Sequence, residues 1–117
     1  MNDSIKTLLA KLAEQNAQVE FNDVMQVISE HYQYTPSRFS NGSVVNEAGS
    51  NEGSCKLFSF AKLHGLTELQ TLACFGIYYR NDVLNNPKGD DHGNIRNFIK
   101  TGWSGIHFDT ESLVVKA

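Results

Sequence analysis

Residues 51–79 read NEGSCKLFSFAKLHGLTELQTLACFGIYY, and the apolar content of this stretch decides the class of fold. Apolar side chains recur on nearly every face of two segments, which is typical of helices buried in a core. Gly65 separates the segments at a position suited to a left-handed helix end. The stretch therefore predicts a central pair of antiparallel helices, from residue 51 to 64 and from residue 67 to 79.

Amphipathic segments flank this central pair on both sides. Apolar residues recur at helical spacing over 5–12 and 24–31, and Pro36 stops the second of these helices. A further short helix follows a polar loop and ends at Gly102. We therefore predict a mainly α single domain over residues 1–117, a compact bundle of about five helices with a long Asn/Gly-rich loop. A short hairpin or strand is compatible with this pattern.

The bulky side chains of the central pair supply the predicted core. Phe58, Leu72 and Phe75 should lie in one cluster because their helices are apolar on most faces. Trp103 follows the last helix and is placed to fold back onto Phe98. At 117 residues the chain has the length that one hydrophobic core requires.

Two polar loops, 34–54 and 85–93, separate the predicted helices. Long loops without regular structure are uncommon in a compact domain unless they are functional or disordered. Both loops are rich in glycine and asparagine and carry acidic residues, so we expect them to approach each other and frame a cleft. The candidate ligand-binding residues are Asn41, Asn51, Asn94 and Arg96.

Charge and composition exclude several classes of partner. The formal net charge is −3 and neither sign accumulates in a block, so the chain has no basic stripe that could bind nucleic acid. No apolar run approaches the ~18 residues of a membrane-spanning helix. Cys55 and Cys74 both lie in apolar helical patterns, which indicates free thiols in a reducing compartment and not a disulfide scaffold. We therefore expect a soluble domain that binds neither nucleic acid nor a membrane.

Cys55 opens the alternative of a small thiol-dependent enzyme. A thiol at a helix N-terminus feels the positive end of the backbone dipole, which favours the nucleophilic thiolate. His92 lies among Asp90, Asp91 and Asn94 and is the best candidate for the base that such a nucleophile requires. A buried packing cysteine and an exposed loop histidine are the simpler interpretation. We therefore favour a domain that is not an enzyme and keep the pair of Cys55 and His92 as the alternative.

The polar clusters do not match a recognised metal or cofactor site. Asp90, Asp91 and His92 follow neither the spacing of a paired-histidine helix nor that of a calcium loop. The glycines before Lys56 lack the spacing of a phosphate-binding Walker A loop. We therefore expect no metal and no cofactor.

Four strings carry a resemblance to a known family. They are NEGSCKLFSFA (51–61), FGIYYR (75–80), DHGNIR (91–96) and GW (102–103). With these strings the chain resembles, over about residues 19–108, the HopJ family, which is grouped with bacterial type III effectors. The resemblance implies a small bacterial domain that carries an effector and virulence label, and it implies no particular reaction, cofactor or catalytic residue.

The function predicted from these features is that of a small interaction domain. Its loops 41–53 and 85–93 would engage a protein or a small polar ligand, and the resemblance implies a host protein if the chain is exported. Residues 1–20 contain one serine, Ser4, and predict a capped amphipathic helix, whereas export signals tend to be unstructured and rich in serine. We therefore expect the bacterial cytoplasm, with secretion into a host cell if the effector label applies.

Overall fold

The computed structural model describes residues 3–14, 19–89 and 91–116. Within these ranges the chain forms five α-helices, a π-helix, a 3₁₀ helix and five short strands. The helices are α1 (Asp3–Glu14), α2 (Phe21–His31), α3 (Glu52–Leu63), α4 (Glu68–Ala73), the π-helix (Tyr78–Val83), α5 (Gly93–Thr101) and the 3₁₀ helix (Gly102–Gly105). The strands are β1 (Tyr32–Tyr34), β2 (Phe39–Asn41), β3 (Val44–Asn46), β4 (Ile106–Phe108) and β5 (Leu113–Val115). The predicted mainly α fold of about five helices is confirmed.

Aromatic rings around Phe58 form the centre of the core. The centroid of the Phe58 ring lies 5.0 Å from that of Phe98 and 5.5 Å from that of Phe75. Trp103 lies edge-on to Phe98, with 5.2 Å between the centroids. Leu72 belongs to the same buried cluster. The predicted grouping of core residues and the predicted return of Trp103 onto the last helix are both confirmed.

The junction between α3 and α4 follows its sequence signals. Gly65 adopts a φ of 61°, and the Leu66 N–H donates to the Ala61 carbonyl at 3.0 Å, which closes the end of α3. The Thr67 hydroxyl accepts the Gln70 N–H, and the Gln70 side chain accepts the Thr67 N–H in return. This reciprocal pair satisfies two backbone donors and starts α4 where the sequence predicts.

Gly76 ends the second central helix earlier than the apolar pattern predicts. The pattern continues to about Tyr79, yet α4 ends at Ala73 and Gly76 adopts a φ of 61°. A Cβ atom at Gly76 would lie 2.8 Å from the backbone nitrogen of Phe21 and 3.1 Å from the Cα of Glu20. The start of α2 therefore crosses at this glycine, and its left-handed backbone interrupts the helix. The chain then continues as the π-helix.

One long antiparallel pair of strands closes the other side of the core. β1 pairs with β5 and β2 pairs with β4. The second pair continues the residue-to-residue register of the first. In the gap between the two pairs, the Thr35 N–H donates to the Ser112 carbonyl at 2.8 Å. Residues 32–41 and 106–115 thus form one interrupted ribbon, which we call the long ribbon.

The long ribbon is interrupted at Pro36 and Ser37. Bonded positions alternate along an antiparallel pair, so Pro36, next to the bonded Thr35, stands where no N–H has to be donated to the partner strand. Next to it, the Ser37 hydroxyl accepts the Thr110 N–H at 3.3 Å and donates to the Thr110 carbonyl at 3.2 Å. A side chain therefore replaces the missing backbone bonds.

β3 extends the ribbon by a hairpin. It pairs with β2 through a tight turn in which Gly42 adopts a φ of 60°. The long loop before α3 therefore contains the short hairpin that the sequence allowed. Within the described ranges, no helix combines the length and the apolar character that crossing a bilayer requires.

Truncation of Leu72 should destabilise the protein strongly. The side chain of Leu72 is 5% exposed, so Leu72→Ala leaves a cavity and should lower the free energy of unfolding by about 2–5 kcal/mol. Leu69→Ala is the matched control, because Leu69 lies on the same helix and is 68% exposed, and should change stability by less than about 0.5 kcal/mol. Urea denaturation measures both. Equal losses in the two variants would contradict the core assignment.

Candidate functional site

The two Asn/Gly-rich loops meet at one side of the molecule, as expected. Segment 41–53 leads into α3 and segment 85–93 leads into α5, and the first turns of both helices line one open cleft of about 370 Å³. We call it the His92 cleft. Polar residues come from the helix starts (Asn51, Gly53 and Ser54; His92, Gly93 and Asn94), and aromatic rings come from Phe21, Phe75 and Tyr78.

The residue before each of these helices has an unusual backbone conformation. Asn51 has a φ of 51° and His92 a φ of 52°, and they are the only non-glycine residues with positive φ in the described ranges. Such conformations cost energy and concentrate at functional sites. Neither side chain caps its helix. The first turns of both helices therefore lack a side-chain cap, and residues of both turns line the cleft.

The imidazole of His92 is held by the π-helix. Its Nε2 lies 3.0 Å from Asp82 Oδ2 and 3.8 Å from Asp91 Oδ2, and its ring lies against that of Tyr78 with 5.4 Å between centroids. An N–H on Nε2 donates to the Asp82 carboxylate, so in the neutral ring Nδ1 is an acceptor. Nδ1 has no hydrogen-bond partner among the described residues. It is available to a molecule in the cleft.

Arg80 fixes the π-helix that carries Tyr78 and Asp82. One guanidinium nitrogen donates to the Val19 carbonyl at 2.9 Å, and the other lies 2.5 Å from Glu20 Oε1. These bonds join the π-helix to the start of α2. The partner of His92 is thus attached to a second helix and is not left on a free loop.

Four asparagines, of which Asn41, Asn46 and Asn94 are buried, join the walls of the cleft to the hairpin. Asn46 Nδ2 donates to Asn94 Oδ1 at 3.1 Å, and Asn94 Nδ2 donates to Asn46 Oδ1 at 3.0 Å. Asn41 Nδ2 donates to the carbonyl of Asn94 at 2.8 Å and to its Oδ1 at 3.0 Å. Asn51 Nδ2 donates to Asn46 Oδ1 at 2.7 Å. We call these four residues the asparagine network.

The network brings together three of the predicted site residues, Asn41, Asn51 and Asn94. Their amides are engaged with one another, so in this structure they support the cleft. Asn46 is not among the site residues predicted from the sequence, although it is only 1% exposed in the structure. It faces Phe39 across the hairpin, so the alternation of inward-facing positions would have identified it.

Arg96, the fourth predicted residue, holds the second loop in shape. Its guanidinium donates to the Asn86 carbonyl at 2.8 Å and to the Asp91 carbonyl and Oδ1 at 2.5 Å each. The hydrogen bond from Arg96 lowers the pKa of Asp91 below its ordinary value. Arg96 therefore closes loop 85–93 onto α5.

Cys55 lies outside the His92 cleft. It is 1% exposed, and its Sγ lies 3.3 Å from Ser112 Oγ and 3.7 Å from the Ser37 carbonyl, at the middle of the long ribbon. Its neighbour Ser54 lines the cleft instead. In the described part of the chain, no hydrogen bond joins Cys55 to His92. The two residues of the thiol-enzyme alternative thus have different partners.

The acidic cluster of the second loop gives no support to a metal site. Asp90 lies outside the described residues. Asp91 accepts hydrogen bonds from Arg96, and His92 is hydrogen-bonded to Asp82. Among the residues that the structure describes, no group of three histidine, cysteine or acidic side chains could hold an ion. Tyr78 and Asp82 join the site without a sequence signal, because only the turn at Gly76 brings the π-helix to His92.

A model of the HopJ type III effector protein family matches residues 5–113. The chain belongs to this HopJ family. The crystal structure of VPA0580, a protein of unknown function, superposes with a TM-score of 0.96 at 46% sequence identity, covering 99% of this chain and 97% of that one. No curated protein matches the chain. The family resemblance seen in the sequence is thus confirmed, and the solved HopJ-like fold carries no assigned activity.

Loss of Asn46 should destabilise this HopJ domain. Asn46→Ala removes the acceptor of the Asn94 and Asn51 amide nitrogens, and because Asn94 is buried this should lower the free energy of unfolding by about 1–3 kcal/mol. Asn85→Ala serves as control, since Asn85 is exposed and bonds only Asn81 within the same helical region. We expect a change below about 0.5 kcal/mol there. Thermal or urea denaturation that ranks the variants the other way would refute a structural role for the network.

The Cys55 thiol should resist alkylation in the folded protein. Iodoacetamide is added between pH 6 and pH 8 to a Cys74→Ala variant, and mass spectrometry follows the modification of Cys55. Because the thiol is buried against the long ribbon, we expect labelling only after unfolding. Rapid labelling at pH 6 that His92→Ala abolishes would instead support the thiol enzyme.

Proposed function

We propose that this HopJ domain is a binding domain whose His92 cleft takes a small polar ligand. The observation that carries the proposal is the His92 imidazole, which lines the cleft, is held by Asp82 through Nε2 and has no partner at Nδ1 among the described residues. A side chain fixed in a left-handed backbone and presented in a cleft is suited to specific hydrogen bonding.

The polar groups around the cleft define what this ligand needs. Nδ1 of the neutral imidazole accepts a hydrogen bond, whereas the first-turn N–H groups of α3 and α5 donate. A ligand that carries both a donor, such as a hydroxyl or an amide N–H, and an acceptor oxygen satisfies both sets. Asp82 and Asp91 lie near the imidazole and would repel a negative group there, so a carboxylate of the ligand would lie at the helix starts instead. Hydroxy acids, amides and polyols are therefore the favoured classes.

The rings of the cleft would contact the less polar part of the ligand. Phe21 stacks on Phe75 with 6.1 Å between centroids, and Tyr78 meets Phe21 edge-on at 5.5 Å. Aromatic walls beside a few directed polar groups are the usual composition of a small-molecule site. The asparagine network and Arg96 hold these walls, so little order would have to be gained on binding.

A small enzyme with His92 as its general base is the second candidate function. A carboxylate that orients an imidazole in an open cleft is also the arrangement of a general base. Cys55 is directed toward Ser37 and Ser112, so the substrate or water would have to supply the nucleophile in the cleft. A binding domain needs no such additional component and is preferred.

Replacement of His92 should abolish ligand binding. Isotope-labelled protein is titrated with hydroxy acids, amides and polyols, and amide shifts are followed by NMR. We expect shifts at Ser54, Gly93 and Asn94, and a loss of at least about tenfold in affinity in His92→Ala, which corresponds to about 1.4 kcal/mol.

His107→Ala is the matched control. His107 is an exposed histidine on β4 and lines no part of the cleft, so its loss should leave binding unchanged. Equal affinity of the His92 and His107 variants, or the absence of shifts around the cleft with all three ligand classes, would refute the proposed function.

A further inference from the structure

The outer strand of the long ribbon has an unpaired edge. Among the described residues β5 pairs with β1 alone, and β4 is an outer strand of the three-stranded sheet. The Thr35 N–H donates to the Ser112 carbonyl and the Lys116 N–H donates to the His31 carbonyl. Because bonded positions alternate along an antiparallel strand, the backbone groups of Leu113 and Val115 point away from the ribbon. Leu113 is buried, whereas Val115 is 65% exposed, so its outward backbone groups can accept another strand.

A groove of about 530 Å³ runs between this edge and the last turns of α3. Every residue from 108 to 113 lines it, and none of residues 32–41 does. The helix side consists of Ser59, Lys62 and Leu63. The groove therefore lies on the outer side of the 106–115 strand, and we call it the edge groove.

Ser59 presents an unsatisfied polar group at the edge groove. The residue is 7% exposed, and its Oγ has no hydrogen-bond partner among the described residues. A buried hydroxyl without a partner costs free energy, so most such groups in folded proteins are bonded. A molecule in the groove that offers a backbone N–H or carbonyl would supply the missing bond.

The charged and apolar residues along the edge groove indicate which side chains a molecule bound there would carry. Asp109 lies 3.5 Å from Arg38, whereas Glu111 makes no ion pair with a described residue. Asp109 and Glu111 stand two residues apart in the segment between β4 and β5, so an extended chain lying alongside could face them with basic side chains. Leu63 is half-exposed and Leu113 lines the groove, which favours apolar side chains at the alternate positions.

We infer that the edge groove binds an extended peptide of a partner protein, with alternating apolar and basic residues, which adds a strand to the open edge at 108–115. Backbone hydrogen bonds to the edge supply affinity, and pockets for alternate side chains supply selectivity. Six residues of strand span about 20 Å, so a peptide of about six residues matches segment 110–115, which joins the groove to the exposed edge at Val115. This surface lies apart from the His92 cleft and does not depend on the function proposed for it.

The test uses a blocked hexapeptide of alternating valine and lysine. Titrated into the isotope-labelled full chain, it should shift the amide signals of residues 108–115 and leave those of Ser54 and Gly93 unchanged. The same peptide with N-methylated alternate amides cannot donate to the edge and should lose binding. Absence of binding at millimolar peptide, equal binding of the methylated peptide, or shifts centred on the His92 cleft would overturn the inference.

Two pairs of variants distinguish strand addition from non-specific electrostatic attraction of the peptide. Val115→Pro removes an outward N–H at a position that is 65% exposed and should weaken binding about two- to tenfold, whereas Val115→Ala keeps that N–H and should weaken it less. Glu111→Lys should weaken binding about two- to fivefold, whereas Glu14→Lys makes the same charge change on α1 and should leave binding unchanged. Equal effects within either pair would count against the inference.

The Ser59→Ala variant tests separately whether the bound peptide contacts Ser59. Removal of an unpartnered buried hydroxyl should preserve or raise the melting temperature of the free protein, yet weaken binding of the valine–lysine peptide. Unchanged peptide affinity would show that Ser59 does not contact the bound strand and would contradict that part of the site.

Discussion

The reciprocal amide pair of Asn46 and Asn94 is the contact on which the site depends. It joins the hairpin to the start of α5, and through Asn51 it also reaches the start of α3. The amides of Asn46 and Asn94 are buried, so each group left unpaired would carry a desolvation cost of about 1–3 kcal/mol. The reciprocal pair therefore favours one relative placement of the hairpin and α5. The geometry of the His92 cleft follows from that placement.

The aromatic core and the asparagine network have complementary roles. Rings around Phe58 hold α3, α4 and α5 together through apolar burial, which has little directional preference. Hydrogen bonds have strict geometry, so the network can select one arrangement among those that bury a similar apolar area. In this HopJ domain the core supplies stability and the network positions the helix starts. The cleft needs both, because His92 directly precedes α5 and its carboxylate partner lies on the π-helix.

The two surfaces of the domain differ in how they are built. The His92 cleft is formed by helix starts, an oriented imidazole and aromatic rings, which suits a compact molecule that reaches several directed groups. The edge groove follows a strand with unsatisfied backbone groups, which suits an extended chain.

The sequence alone determined the class of fold, the helix ends at Gly65 and Thr67, the core around Phe58 and the meeting of the two polar loops. These features depend on local spacing and on the amount of apolar surface, which are written directly in the order of residues. Tertiary structure decided the early end of α4 at Gly76, because the crossing of α2 imposes that backbone. It also decided that Cys55 faces Ser112 while His92 faces Asp82, since these partners come from segments that only the folded chain brings together.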